Sequence, residues 1–316
     1  MMKLIIQIPA FNEEKTLPLT LSQLPTQING IKTIETLVID DGSTDNTVNV
    51  AHQNGVNHIV QLHHNQGLAA VFRTGLETCL KLGADIIVNT DADNQYCAQD
   101  IEKLIQPILN RTHDIVIGER PIFKTPHFSF LKKILQRLGS SVVQKISNTS
   151  IPDAPSGFRA ISRKAAFKIN IFSNYTYTLE MIIQAGKKGI SITSVPVRTN
   201  KEERPSRLFK SMYSYIYKSL LTMFRILNTY QPLSFFIKLG LIPFTLGCII
   251  GIRWIILFMG KGNALHIPSL ILTSILILIS FLFFSLGLLA DLISVNRKLL
   301  EDIQLRLKHL TISKDT

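Results

Sequence analysis

The sequence predicts an α/β domain built on a mostly parallel sheet, followed by two membrane-spanning helices. Four short apolar runs each end in polar or acidic residues, and helical stretches separate them. Such alternation of strand and helix is typical of a parallel sheet with helices on both faces. Farther along the chain, residues 234–290 are almost free of charge. The α/β domain is therefore expected in water, and residues 234–290 are expected in lipid.

The four runs are rich in Ile and Val and are predicted as strands buried on both faces. They are Lys3–Ile8, Thr36–Ile39, Asp85–Asn89 and Asp114–Ile117. Helices are predicted between them, from Thr44 to Gly55, over Gly67–Leu82 and over Ala98–Leu109. Ligands bind such sheets at the carboxyl ends of the strands. Acidic residues follow the second and third runs, so the chemistry is expected at that edge.

The composition excludes a disulfide-stapled miniprotein and a disordered chain. The chain has 316 residues and a formal net charge of +12, and only 18% of its residues are charged. Its cysteines, Cys79, Cys97 and Cys248, have no metal-site spacing and are predicted to be reduced thiols. The basic excess suits anionic lipid heads. Nucleic acid is the competing partner, but no base-reading motif supports it, so none is predicted.

Two segments are long and apolar enough to cross a hydrocarbon core of about 30 Å. Ser234–Met259 contains only Lys238 and Arg253 as charges, and Ile267–Ala290 contains none. A buried core helix is the alternative for either segment. The short loop Gly260–His266 between them favours a transmembrane hairpin.

The distribution of Lys and Arg predicts the orientation. Both flanks of the hairpin are basic, whereas the loop between the spans carries only Lys261. Because excess Lys and Arg stay in the cytoplasm, the α/β domain and both termini are expected there. The predicted location is the inner (cytoplasmic) membrane, with a multi-pass topology.

The predicted boundaries give four segments. Residues 1–207 form the catalytic domain, 208–232 a juxtamembrane amphipathic helix, 233–290 the two spans, and 291–316 a cytoplasmic C-terminal helix. Apolar residues from Phe209 to Phe224 recur at helical spacing while Lys210, Lys218 and Arg225 share another side. This pattern predicts a helix lying in the membrane interface, with a core helix of the catalytic domain as the alternative.

Asp91 and Asp93 flank one small residue just after a predicted strand, and Gln95 continues the series. In an extended turn these alternate side chains point the same way. Two carboxylates and an amide oxygen suit Mg²⁺ or Mn²⁺ held together with phosphate oxygens. The alternative is a solvated turn whose aspartates cap a helix. Asp40 and Asp41 at a second strand end favour the ligand site, and one of these two is expected to serve the turn at Gly42-Ser43.

Four motifs in order resemble the family 2 inverting glycosyltransferases, in the polyprenyl-phosphate branch related to dolichyl-phosphate mannose synthase. They are Pro9-Ala10-Phe11-Asn12-Glu13-Glu14, Asp40-Asp41-Gly42-Ser43-Thr44-Asp45, Asn65-Gln66-Gly67 and Asp91-Ala92-Asp93-Asn94-Gln95. The resemblance covers about residues 3–210. It implies a Rossmann-like GT-A domain and a donor sugar linked to a UDP or GDP nucleotide.

The resemblance also implies roles for individual residues. Those expected at the donor nucleotide are Pro9, Phe11, Glu13, Ile39, Asp41, Asp91 and Ala92. Asp91, Asp93 and Gln95 would hold the metal and the diphosphate, with Asp93 counted as catalytic. Phe11 stands where the family often has Tyr.

Basic residues are expected to serve the phosphates. Arg120 in Gly118-Glu119-Arg120 would face the acceptor phosphate, whereas Arg159 is as well explained by a structural ion pair. Residues 201–208 resemble the family's basic loop, written R-x-x-G-x-S-K-L. Three positions depart from that pattern, with Lys201 for Arg, Arg204 for Gly and Arg207 for Lys. Lys201 and Arg204 are expected to bind the donor, and Arg207 is expected to take part in catalysis. A juxtamembrane lipid-contact patch is the rival interpretation of this loop.

The predicted reaction moves the sugar to a polyprenyl phosphate of the undecaprenyl or dolichyl type. That acceptor is already an oxyanion, so little general-base catalysis is needed. A hydroxyl acceptor would require a base. Glu180 is the candidate, although it is interpreted as a helix-surface acid. A membrane-tethered binding module is the non-enzymatic alternative, and a homo-oligomer is left open.

Overall fold

The computed structural model of the chain describes residues 2–121, 130–171, 177–200, 217, 221, 224–225, 228–261 and 267–314. Its internal contacts define two compact units, residues 1–217 with 304–316, and residues 218–303. The first unit contains the strands, and the second contains most of two long apolar helices.

A seven-stranded mixed sheet forms the centre of the first unit. The strands are β1 (Met2–Ala10), β2 (Ile31–Asp40), β3 (His58–Gln61), β4 (Ile86–Asn89), β5 (Ile115–Glu119), β6 (Arg159–Ser162) and β7 (Ile192–Pro196). Their order is β3-β2-β1-β4-β6-β5-β7. Only β6 among these strands runs antiparallel to its neighbours. The predicted mostly parallel sheet is confirmed, and the four predicted strands correspond to β1, β2, β4 and β5.

Seven helices connect these strands. They are α1 (Leu17–Ser22), α2 (Thr47–Gln53), α3 (Leu68–Lys81), α4 (Ile101–Leu109), α5 (Phe130–Ser147), α6 (Arg163–Lys168) and α7 (Thr178–Lys187). The three predicted helices correspond to α2, α3 and α4, and a short 3-10 turn, Ala98–Asp100, precedes α4.

Helices cover both faces of the sheet. On one face, Leu4 and Ile6 of β1 share a core with Leu104 and Ile105 of α4. On the other face, Gly75 of α3 lies so close to β1 that a Cβ there would be 2.6 Å from Oε1 of Gln7. Burial on both faces explains why the strands read as continuous apolar runs.

The strand register brings several chain segments to one edge of the sheet. Ala10 pairs with Asp40, and Gln7 pairs with Asn89, so β1, β2 and β4 end together. Since β6 is reversed, its first residue, Arg159, pairs with Asn89 and lies at the same edge.

The second unit contains two helices that are long and apolar enough to cross a membrane, within α8 (Pro232–Lys261) and α9 (Ile267–Lys314). The candidate spans are Pro232–Met259, with a mean hydropathy of 2.1, and Ile267–Ile303, with 2.5. Only 6% and 17% of their most apolar windows are buried. This exposure disfavours the alternative of buried core helices.

Glycines allow α8 and α9 to pack closely as an antiparallel pair. A Cβ at Gly240 would lie 2.8 Å from the ring of Phe284, and one at Gly251 would lie 3.2 Å from Thr273. On α9, Gly287 similarly faces Phe236. Small residues at such contacts are typical of helices that associate in lipid.

The predicted amphipathic helix over 208–232 lies mostly outside the described residues. Within it, Tyr217, Leu221 and Phe224 are helical and exposed. That prediction therefore stays a prediction. Across the predicted boundary at residue 290, α9 continues as one helix.

We expect Gly186→Ala to destabilise the first unit. A Cβ at Gly186 in α7 would lie 1.8 Å from the backbone oxygen of Ser147 in α5, so the helices must separate. Overpacking of this kind costs about 1–3 kcal/mol, although alanine has a higher helix propensity than glycine. Thermal unfolding in detergent measures the loss. The exposed neighbour Lys187→Ala is the control, and equal stability of the two variants would contradict the close contact.

Candidate active site

The turn after β4 presents two carboxylates at the carboxyl edge of the sheet. Asp91 and Asp93 flank Ala92, which is buried and whose carbonyl accepts a hydrogen bond from the Thr20 hydroxyl at 3.0 Å. Oδ1 of Asp93 accepts the N–H of Gln95 at 3.2 Å. These bonds fix the backbone on which the two acids stand.

The two carboxylates at this turn lie close enough for the charge of Asp93 to act on Asp91. Burial, followed by the nearby charge of Asp93, raises the pKa of Asp91 to about 7. Glu13 adds to the effect, while Arg120 and Arg159 oppose it. A group with such a shift at a sheet edge is a functional-site candidate, because a bound cation would relieve the repulsion.

The residues fit a divalent cation only if other oxygens complete its coordination. Among the described residues, no group of three or more His, Cys, Asp or Glu could hold a metal. Mg²⁺ is commonly held by one or two carboxylates together with substrate phosphates. Asp91 and Asp93 match that arrangement, and the side chain of Gln95 is partly buried next to them.

The two acids at the end of β2, Asp40 and Asp41, accept different hydrogen bonds. Oδ2 of Asp40 accepts the N–H of Ser43 at 3.1 Å, which is the expected turn role. Asp41 accepts the N–H groups of Gln66 and Gly67 at 2.7 and 3.0 Å. Burial raises the pKa of Asp41 even though these two backbone bonds oppose the shift. Asp41 thus ties the 65–67 segment to the end of β2.

The residues predicted at the donor nucleotide divide into surface and core. Phe11 is exposed, and Glu13 is buried with Oε2 accepting the Thr16 hydroxyl at 2.6 Å. Pro9 and Ile39 are paired within the sheet and buried. The side chains of Pro9 and Ile39 therefore belong to the core under the site. Phe11 exposes an aromatic ring at the surface.

Arg120 is held by a carboxylate that the sequence did not indicate. Its Nε and Nη2 donate to the two oxygens of Asp153 at 2.8 and 3.0 Å, and its backbone N–H bonds the same group at 3.2 Å. Burial opposes the charge, but Tyr96 and Asp153 raise the pKa of Arg120 above its ordinary value. Nη1 makes no hydrogen bond to any residue that the structure describes.

Arg159 is a structural residue, although not through the ion pair considered above. Its guanidinium is fully buried and donates to the backbone carbonyls of Ser156, Thr178 and Ala154 at 2.7, 2.8 and 2.8 Å. Burial lowers the pKa of Arg159 to about 10. The residue therefore joins the 154–156 segment to the start of α7.

The segment Val197–Asn200 is bound directly beside the acidic turn. Thr199 forms a β-bridge with Tyr96, and the N–H of Asn200 donates to the carbonyl of Gln95 at 2.9 Å. Asp100 accepts the backbone N–H of Arg198 at 2.6 Å and its Nη2 at 2.8 Å. The chain is thus anchored at Asn200, where the predicted basic loop begins.

The remaining predictions have mixed outcomes. Lys201, Arg204 and Arg207 lie outside the described residues, so their roles stay predictions. Glu180 was expected as a helix-surface acid, and this is wrong because it is buried on α7, with Oε1 accepting the Gln184 amide at 3.4 Å. Nothing in the sequence indicated that Glu180 is buried, because no helix or strand bounds were predicted around it.

A sequence model described as glycosyl transferase family 2 matches residues 5–169. The chain is 34% identical to an uncharacterized protein of Methanocaldococcus jannaschii, over 62% of this chain and 81% of the relative. It is 31% identical to the UDP-N-acetylglucosamine–dolichyl-phosphate N-acetylglucosaminyltransferase of Methanococcus voltae, over 61% and 83%. It is 26% identical to the undecaprenyl-phosphate mannosyltransferase of Micrococcus luteus, over 62% and 83%.

Among solved structures, the chain is similar to glucosyl-3-phosphoglycerate synthase of Mycobacterium tuberculosis in complex with Mn²⁺, UDP and glucosyl-3-phosphoglycerate. The TM-score is 0.55 at 18% identity, over 70% of this chain and 80% of that one. At this identity the likeness shows the fold alone. It confirms the expected Rossmann-like GT-A fold.

We expect the Asp100–Arg198 contact to make stability depend on acid pH. Burial opposes ionisation, but the hydrogen bonds from Arg198 keep the pKa of Asp100 below its usual value. A lowered native pKa stabilises the fold above the unfolded value of about 3.9, and this contribution is lost as the pH falls through the native pKa. Asp100→Asn should therefore have a lower Tm at pH 6 and a smaller loss of Tm between pH 6 and pH 3. The exposed Glu102→Gln serves as the charge-matched control, and a wild-type acid slope in Asp100→Asn would contradict this role.

Proposed function

Since the chain belongs to glycosyl transferase family 2 and is thus a glycosyltransferase, we propose that it moves a sugar from a nucleotide-diphosphate sugar to a polyprenyl phosphate. The proposed enzyme works at a membrane, with inversion at the sugar carbon and assistance from Mg²⁺ or Mn²⁺. The observation that carries the proposal is the carboxylate pair Asp91–Asp93, held at the carboxyl edge of the sheet by the bonded backbone of Ala92 and Gln95, where burial and then the charge of Asp93 raise the pKa of Asp91 to about 7.

The names of the relatives support the choice of acceptor. Relatives at 31% and 26% identity are named for dolichyl phosphate and undecaprenyl phosphate, and each is matched over 83% of its length. Their names give different sugars, so the sugar and the base of the donor stay open. The solved neighbour with UDP and Mn²⁺ shares the fold, and a divalent cation is part of the proposal on the strength of Asp91 and Asp93.

The donor would occupy the carboxyl edge of the sheet. We assign the nucleoside to the surface around Phe11, Glu13 and Asp41, with the diphosphate at Asp91 and Asp93. A cation bound there would act as a Lewis acid that stabilises charge on the departing diphosphate. The fixed backbone around Ala92 holds both carboxylates in place before the donor arrives, which reduces reorganisation during the reaction.

The acceptor phosphate needs positioning more than activation. A phosphate oxygen of the lipid attacks the anomeric carbon, and the bond from that carbon to the donor phosphate breaks, so the nucleoside diphosphate leaves. This single displacement inverts the configuration. We assign Arg120 to the acceptor phosphate, because Asp153 fixes its guanidinium plane and Nη1 donates to none of the described residues. Lys201, Arg204 and Arg207 are proposed to add positive charge.

The apolar helices α8 and α9 would anchor the enzyme where its acceptor resides. Their exposed faces are apolar over spans of 28 and 37 residues, longer than the roughly 20 residues that a membrane requires. The basic flanks and the single lysine in the loop support a cytoplasmic position for the catalytic domain and both termini. This topology is part of the proposal.

The direct test is transfer of label into lipid. Purified protein in detergent would be given undecaprenyl or dolichyl phosphate, Mg²⁺ or Mn²⁺, and a panel of labelled UDP- and GDP-sugars. We expect one donor to be used. Asp93→Asn should lower the rate about 100-fold or more, because a contact to the leaving group is lost, while Glu102→Gln should keep it. Donor binding without transfer to any lipid phosphate would contradict the proposed acceptor and favour a hydroxyl acceptor or a binding role.

The topology has its own test. In a variant without Cys79, Cys97 and Cys248, Ala264→Cys in the loop should react with an impermeant maleimide only from the far side of the membrane. The matched control Thr316→Cys should react only from the cytoplasmic side. Labelling of residue 264 from the cytoplasmic side would overturn the hairpin.

A further inference from the structure

Three buried polar side chains enclose the backbone of Gly157 beneath the acidic turn. The N–H of Gly157 donates to the Tyr96 hydroxyl at 3.0 Å. Its carbonyl accepts the Asn89 amide at 2.8 Å and the Tyr177 hydroxyl at 3.5 Å. Both backbone polar groups of this residue are thus fixed from opposite sides.

The enclosing side chains are themselves held in place. Oδ1 of Asn89 accepts the Gln7 amide at 2.9 Å. The Tyr177 ring stacks on Phe72 at 3.7 Å between centroids, and Tyr96 stacks on Phe158 at 5.0 Å. All are at most 3% exposed. A fully bonded buried network of this kind is rigid, so the Gly157 backbone has little freedom to shift.

The carboxylate of Asp91 lies against this fixed backbone with both of its oxygens equally close to Gly157. A Cβ at Gly157 would be 3.0 Å from both Oδ1 and Oδ2 of Asp91 and 3.4 Å from its Cγ. Gly157 does not have a left-handed φ. Glycine therefore leaves the space that the Asp91 carboxylate occupies, and a Cβ at this position would have to displace the carboxylate by a few tenths of an ångström.

We propose that Gly157 is a positioning residue of the donor site, whose fixed backbone sets where the Asp91 carboxylate can lie when a divalent cation and the diphosphate bind. This inference rests on the proposed function. Metal–ligand distances hold to within about 0.2 Å, so a shift of the size that a methyl group imposes is large for a metal ligand. Asn89, Tyr96 and Tyr177 hold the Gly157 backbone against which the Asp91 carboxylate lies.

The test measures Mn²⁺ binding in addition to turnover. The electron paramagnetic resonance signal of free Mn²⁺ would be titrated with protein in the presence of UDP or GDP. We expect Gly157→Ala to weaken Mn²⁺ binding about 10-fold or more, as for other residues that orient metal ligands. Nucleotide binding in EDTA should stay within about two-fold of wild type, since only the carboxylate at the cation moves. A merely structural defect would weaken both.

The matched control strains the backbone away from Asp91 and its supporting residues. Gly83 has a φ of 79°, and a Cβ there would have nothing within 4 Å. Gly83→Ala should therefore lower the Tm, because its backbone conformation disfavours a side chain, and keep the Mn²⁺ affinity. If Gly157→Ala fails to fold, the Mn²⁺ affinity of Tyr96→Phe tests the inference instead. This substitution removes the acceptor of the Gly157 N–H and should weaken Mn²⁺ binding about two- to ten-fold, the value of one hydrogen bond.

The outcomes separate the two proposals. Equal Mn²⁺ affinity of Gly157→Ala and wild type overturns this inference and leaves the proposed function standing. If Gly157→Ala does not fold, equal Mn²⁺ affinity of Tyr96→Phe and wild type also overturns this inference and leaves the proposed function standing. Intact Mn²⁺ binding without transfer to any lipid phosphate overturns the proposed acceptor alone. Absence of Mn²⁺ binding by wild type with either nucleotide overturns the metal assignment and this inference together.

Discussion

The guanidinium of Arg159 and its three backbone carbonyls are the interaction on which the candidate site depends. A buried cation without a contacting carboxylate is costly unless its donors are used, and here the carbonyls of residues 154, 156 and 178 use them. Because these bonds fix the 154–156 segment, Asp153 on one side can hold Arg120, and Gly157 on the other can lie against Asp91. The reversed strand β6 makes this possible, since only a strand entering from the carboxyl edge starts there.

The site combines a rigid base with a cluster of acids. The chain places Asp91 near Asp93 and Glu13, and burial followed by these charges raises the pKa of Asp91. Nearby Arg120 and Arg159 oppose this shift, but one is engaged by Asp153 and the other by carbonyl groups. Groups with such shifted pKa values cluster at functional sites. The hydrogen bonds around Ala92 and Gln95 fix the backbone that carries both acids.

Much of the fold was predictable because buried parallel strands leave a strong signal. The runs that became β1, β2, β4 and β5 are continuous and apolar. The missed strands β3, β6 and β7 lack that signal because polar residues interrupt them. These residues are His58 and Gln61 in β3, Arg159 and Ser162 in β6, and Thr193 and Ser194 in β7. The pairing of these strands is decided by tertiary contacts.

The same limit applies to the site. Asp91 and Asp93 were found because they directly follow a strand, and a motif marks them. Asp153 is 33 residues from its partner Arg120, and nothing local in the sequence indicates the pair. Asn89 carried a signal that was not used, since it is a polar residue at the end of a buried run.

The anchoring of Asn200 has a consequence for the cationic residues that follow it. Whatever path the chain takes afterwards, n residues reach at most about 3.3–3.6 Å × n. Arg204 and Arg207, four and seven residues on, are thus tethered within roughly 14 and 25 Å of a point bonded to Gln95. Short tethers of this kind correspond to effective concentrations in the millimolar range. If a diphosphate binds at the acidic turn as proposed, these guanidinium groups would reach it as tethered groups, so their local concentration would not depend on diffusion from solution.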